Sequence, residues 1–145
     1  NKPRGSLESL DDVTAIFKAQ PEETMLNFLK ASIKTNKEET EDIKKLHQAY
    51  SDGRFEELIP LLEETEQRTL KLVDTKYAKA MSDWLKNDLL IRRNLAWLPE
   101  IRKQSAKQST LFAVGIAHLP SEKGLIELLR QEGYQVTPEP KVLIW

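Results

Sequence analysis

No cysteine occurs in the 145 residues, and that one absence removes structural disulfides, thiolate nucleophiles and cysteine-based zinc or iron–sulfur centres. Long apolar runs are missing as well. Nothing approaches the roughly 18 apolar residues that a membrane-spanning helix needs, and the opening NKPRGSLESL lacks the apolar stretch of a signal peptide. There is no excess charge of either sign, with 22 Lys and Arg against 23 Asp and Glu. The chain as a whole therefore has no general attraction for nucleic acid or for an anionic lipid surface. The phosphate-binding glycine loops, the HExxH zinc helix and the GxSxG nucleophile turn are all absent, which leaves nucleotide binding, zincin proteolysis and serine-hydrolase chemistry without their markers.

What is present is a chain that is 39% hydrophobic and long enough to bury one useful core. Helical periodicity dominates its first three quarters. Ser9 is placed to cap a helix with Asp12 at the capping-box position, and Leu10, Val13, Ile16 and Phe17 recur on one side. Pro21 can start a second helix, with Met25, Leu26, Phe28, Leu29 and Ile33 as its apolar stripe. These two would make a short helical hairpin; TNKEETEDIKKLHQAYSDG follows, with Ile43, Leu46 and Tyr50 as a thin seam before an Asp52-Gly53 turn, and RFEELIPLLEE resumes the helical period with a bend expected at Pro60. Charge is uneven along this region. Residues 37–66 hold four basic and ten acidic groups, a net of −6, whereas residues 86–107 hold six basic and two acidic, a net of +4. Such a field could orient an acidic ligand, although solvated helix faces of opposite sign are the more ordinary account of it.

Near Thr110 the pattern changes. TLFAVG fits a buried strand, SEKGLIELLRQEG a helix capped by Ser121 and stopped at Gly133, and YQVTP and KVLIW fit further strands. The expectation is an α/β fold, predominantly helical, with a helical lobe over residues 1–107 and a βαβ-like C-terminal portion over 108–145. One such unit cannot complete a sheet. Strands upstream of the chain, or pairing with a second copy through an exposed strand edge, would have to finish it.

Two stretches can carry chemistry. His118 follows Gly115 by three residues, just beyond the expected strand, where open α/β sheets place ligands and reactive groups. Its imidazole can bind a divalent ion or exchange a proton near neutrality, or it can be a loop histidine bonded to backbone. A catalytic zinc needs about three protein ligands; His47, the other histidine, lies in the acidic segment and reads as solvent-facing. In LLIRRNLAWLPEI, Arg93 and Trp97 share a helix face with Asn94 alongside. A guanidinium fork and an amide suit a carboxylate or a developing oxyanion; the alternative is a surface ion pair beside a core tryptophan.

RNLAW at 93–97, followed by LFAVGIAHLPSEKGLIELLRQEGYQVTP at 111–138, resembles the C-terminal half of TraB/GumN family proteins, in which an R-N-x-x-W helix precedes a G-x-G/A-H-L turn and a closing G-Y-x-V-x-P. SLES at 6–9 resembles the G-L-E-T element of that family, and GRFEELIPLL at 53–62 its central helical region. The family is distantly similar to Tiki-type metal-dependent proteases and to ChaN-like and erythromycin-esterase-like proteins. The resemblance implies a C-terminal fragment of a longer, two-halved fold, with a first GxxH in a missing N-terminal half. It implies a divalent metal held by His118 and Glu8, with Arg93 and Asn94 as further catalytic groups, acting on an amide or ester bond of a peptide or ester substrate in the intact protein. It also implies an exported, periplasmic or membrane-associated setting. Ser6 stands where the family has glycine and Arg92 where it has an acidic residue, which alters the local charge of any such site. The competing expectation is a non-catalytic binding or assembly module that retains the family fold.

Overall fold

The computed structural model describes residues 4–137. Ser9 accepts from the backbone N–H of Asp12 at 3.1 Å while the Asp12 carboxylate accepts from the Ser9 backbone N–H at 3.0 Å. This reciprocal capping box starts α1, Leu10–Lys18. Pro21 precedes α2, Glu22–Asp52, where its missing N–H costs no helical bond. At 31 residues α2 is about 46 Å long at ~1.5 Å per residue. It ends at Gly53, whose φ of 72° is the left-handed conformation that glycine adopts without a Cβ penalty. A short 3-10 turn, Phe55–Glu57, leads into α3, Leu58–Leu70. Pro60 therefore falls in the first turn of α3, where it begins the helix instead of bending it. Asp74 caps α4, Thr75–Asp83, which runs on through a π-helical stretch, Trp84–Ile91, into α5, Arg92–Ser105. After a 3-10 turn, Ile116–His118, the described chain closes with α6, Leu125–Gln131.

Two apolar clusters hold these helices. In the first, Ala31, Leu70, Val73, Met81 and Trp84 are buried, with Ile16, Met25 and Phe28 packed against them, so α1, α2, α3 and α4 share one core. In the second, Trp97, Leu98 and Ile101 of α5 pack on Leu125 and Leu128 of α6, with Leu7, Phe112 and Val114 around them. The π-helical stretch lies between the two. The helical run from α4 through this stretch to α5 presents Trp84 to the first cluster and Trp97 to the second.

Along its outer half, α2 meets α3 through polar groups. Thr69 donates to Glu39 at 3.1 Å. Asp42, only 5% exposed at its side chain, accepts from Thr65 at 3.1 Å and from Arg68 at 2.5 Å. Burial of Asp42 opposes its charge, but the bonds from Arg68, Lys45 and Thr65 outweigh that cost and hold its carboxyl below the usual range.

The α/β expectation is overturned. The described residues form a helical fold with no strand and no sheet, so the βαβ unit and the strand edge through which two copies would pair are absent among them. The reason is visible at residues 111–115. Phe112 and Val114 turn toward the second cluster while Leu111 is 92% exposed and Ala113 is exposed. The alternation that signals a strand is real, but it serves packing against helices, because among the described residues no neighbouring segment supplies a ladder. Nor does Ser121 cap the following helix. It adopts φ 80°, and Gly124 takes the N-cap position of α6. KVLIW lies outside the described residues.

Candidate functional site

Arg93, Asn94 and Trp97 lie on the first turns of α5, on neighbouring faces of the helix. Glu8 reaches them from the segment before α1, and His118 from the 3-10 turn that follows the extended stretch. All four residues singled out in the sequence, Glu8, Arg93, Asn94 and His118, meet here.

Arg93 grips Glu8 with two parallel bonds, Nε to Oε2 at 3.0 Å and Nη2 to Oε1 at 2.5 Å. This is the bidentate fork that guanidinium geometry favours. Its remaining nitrogen, Nη1, donates to the Leu89 carbonyl at 3.1 Å and lies 3.4 Å from His118 Nε2. Trp97 contributes more than bulk. Its Nε1 donates to Glu8 Oε2 at 3.2 Å, its ring lies 5.0 Å under the Arg93 guanidinium, and it packs 4.6 Å from the His118 ring. The hydrogen bond from Arg93, opposed by burial and helped by the guanidinium charge and the Trp97 bond, holds the Glu8 carboxyl below its usual range.

Asn94 settles the tautomer of His118. Its Nδ2 donates to the Lys123 carbonyl at 2.9 Å and to the His118 carbonyl at 3.3 Å, so its Oδ1 faces His118 Nδ1, 2.7 Å away, as an acceptor. The neutral imidazole then carries its proton on Nδ1 and turns the Nε2 lone pair toward Arg93. Burial, reinforced by the Arg93 charge and only partly offset by Glu8, pushes the His118 pKa down from its ordinary value.

These groups do not fit the metal centre that the family resemblance implied. The cation between the carboxylate and the imidazole is Arg93 itself, both Glu8 oxygens are bonded, and His118 Nε2 faces a guanidinium. No group of three or more His, Cys, Asp or Glu side chains among the described residues could hold a metal ion, and His47 is exposed on α2. The quartet lines neither of two shallow depressions found on the described residues. A shallow depression near it is lined by Leu119, Pro120, Lys123, Ile126 and Arg130, and by none of the four.

Gly115, the glycine of the GxxH spacing, has φ −62° and ψ 141°, a conformation open to any residue. A Cβ there would meet His118 at an ordinary 3.6 Å. The glycine that the turn needs is Gly124, where a Cβ would lie 1.9 Å from the Pro120 carbonyl oxygen and 2.4 Å from that of Leu119. Sequence reasoning passed over Gly124, and took Trp97 as core alone although its i, i+4 spacing from Arg93 was in view.

Residues 1–138 match the TraB/PrgY/gumN family. The chain belongs to that family. The match corrects the expectation of a likeness to a C-terminal half alone, because it runs from the SLES element through α2 and α3 to the closing motif. What the match shows of this TraB/PrgY/gumN member is family membership over nearly the whole chain, which replaces its reading as a hydrolase fragment. No curated protein and no solved structure matches the chain. No helix among the described residues is long and apolar enough to cross a membrane.

Proposed function

We propose that this TraB/PrgY/gumN family chain is a non-catalytic binding or assembly module, in which Glu8, Arg93, Trp97, Asn94 and His118 form a structural pin. One observation carries the reading: the polar atoms of the cluster are spent on one another and on the carbonyls of Leu89, His118 and Lys123. The Glu8 carboxylate takes three donors, and Asn94 bridges the two ends of the 118–123 turn. No side-chain nitrogen or oxygen buried among the described residues lacks a partner. A site poised to bind and turn over a substrate keeps a nucleophile, an acid or an oxyanion donor unspent at a cleft. Here the groups join the segment before α1, helix α5 and the turn before α6, the three pieces surrounding the second cluster.

The test combines metal titration with unfolding. Adding Zn2+ or Mn2+ to the purified chain, followed by calorimetry, is expected to show no stoichiometric site, and Tm is expected to be the same with metal or with EDTA. His118→Gln and Glu8→Gln are expected to lower Tm while leaving that insensitivity to metal intact. Stoichiometric binding that either substitution abolishes would overturn the proposal.

A further inference from the structure

Besides the apolar face that Met25, Phe28 and Ala31 turn to the core, α2 carries a second apolar row on its exposed side. Thr35, Glu39 and Asp42 face α3, whereas Leu26, Leu29, Ile33 and Ile43 face outward at 46, 53, 76 and 64% exposure. These four residues are in phase. Positions 26, 29, 33, 36, 40 and 43 step alternately by three and four, the a/d spacing of a helix that pairs with another helix. A shallow groove lined by Leu29, Ser32, Ile33, Asn36 and Glu39 runs along this line. Asn36 and Thr40 fill its middle positions, where a polar residue in a heptad seam sets register and partner choice.

We infer that this outward face of α2 docks a partner helix that is apolar at heptad spacing and acidic along one edge. Charge decides the occupant. Lys30, Lys37 and Lys44, each exposed, follow the seam at seven-residue intervals along one flank. Lys44 has an exposed partner in Glu41, and such a pair is worth little and exchanges readily. Two copies of α2 packed antiparallel would set Lys37 against Lys37 and Lys30 against Lys44. Packed parallel, they would bring the lysine row to the edge of Met25, Ser32 and Glu39, and Glu39 is already held by Thr35 and Thr69. A lipid surface fits less well, since Asn36 and Thr40 would be submerged with the apolar residues. This inference deepens the assembly reading by naming a surface and a partner chemistry, yet it concerns a face remote in sequence from the Glu8 cluster and stands or falls on different variants.

The experiment uses the whole chain and two synthetic helical peptides with the same isoleucine and leucine heptads, one edged with glutamate and the other with lysine. Fluorescence anisotropy is expected to show at least tenfold tighter binding of the glutamate-edged peptide. Ile33→Ser with Ile43→Ser is expected to weaken it at least tenfold while circular dichroism and Tm stay unchanged, since both side chains are exposed. Lys30→Glu, Lys37→Glu and Lys44→Glu together are expected to reverse the preference. Failure of the glutamate-edged peptide to bind, or a preference indifferent to the lysine changes, overturns the inference. So does a self-associated state in sedimentation, or capture by phosphatidylserine vesicles, that is lost in the Ile33→Ser, Ile43→Ser protein, because each would assign the face to a different occupant. Unaltered metal insensitivity alongside any of these results would leave the structural role of the Glu8 cluster standing.

Discussion

Arg93 and Glu8, 85 positions apart in the sequence, are joined by a two-pronged ion pair whose side chains are each only 21% exposed. A pair so placed cannot be treated as surface decoration. Water is largely withdrawn from both partners, so removing one leaves the other without its compensation. The expected cost of Glu8→Gln or Arg93→Met is about 1.5–3 kcal/mol, the range for hydrogen bonds to charged groups. Urea unfolding of each variant checks it, and Arg93→Lys should rescue only part of the loss, because an ammonium cannot form the fork.

The His118 imidazole gives a pH dependence whose sign follows from its depressed pKa. Between the ordinary value near 6.5 and the lower folded value, the unfolded chain binds the proton more readily than the folded one, so stability falls as pH drops through that window. Below the folded pKa, the loss from this group is complete. Glu8, whose pKa is also lowered, adds stability above the ordinary carboxylate range that is lost on further acidification. Unfolding free energies measured from pH 7.5 downward should show the first decline, and His118→Gln should remove it. Nitrogen chemical shifts should place the neutral proton on Nδ1.

Asn94 is 2% exposed and makes three bonds to the 118–123 turn. Asn94→Ala leaves two carbonyls and an imidazole N–H without partners, at about 1–3 kcal/mol for each buried group left unsatisfied. Hydrogen exchange should show the amides of residues 119–124 losing protection before those of α2. Equal loss across the chain would argue against a local pin.

Gly124 and Gly5 form a matched contrast. An added methyl at Gly124 would overlap two carbonyl oxygens, whereas at Gly5 nothing lies within 4 Å. Gly124→Ala is expected to cost at least the 1–3 kcal/mol or so of an overpacked interior, and Gly5→Ala to stay within about 0.5 kcal/mol of the parent. Thermal unfolding of the two variants side by side checks the difference.

Local chemistry was legible wherever a bond closes within a few residues. The Ser9–Asp12 capping box, the start of α2 after Pro21 and its stop at Gly53 follow from side-chain and backbone rules acting over one turn. Grouping Glu8, Arg93, Asn94 and His118 came from the family likeness, since no spacing rule joins a carboxylate at position 8 to an imidazole at 118. The misreading at residues 111–115 arose because alternation reports burial on one side of an extended segment and says nothing about a neighbouring strand. The apolar stripe of α2 misled for a similar reason. Met25 and Phe28 pack inside while Leu26, Leu29 and Ile33 face outward, and periodicity counts both sets without saying which face a core covers.

The sequence by itself determined the capping box that starts α1, the start of a helix after Pro21 and the stop at Gly53, since caps, prolines and glycines act on backbone groups next to them. It also determined that cysteine chemistry and a membrane-spanning apolar run are absent. Only the tertiary structure decided that Arg93 stands between Glu8 and His118, filling with a guanidinium the place a metal ion was expected to take. It also turned half the apolar residues of the longest helix outward. Both outcomes depend on how distant segments share space, and the energy of an ion pair or a buried face exists only once those segments have met.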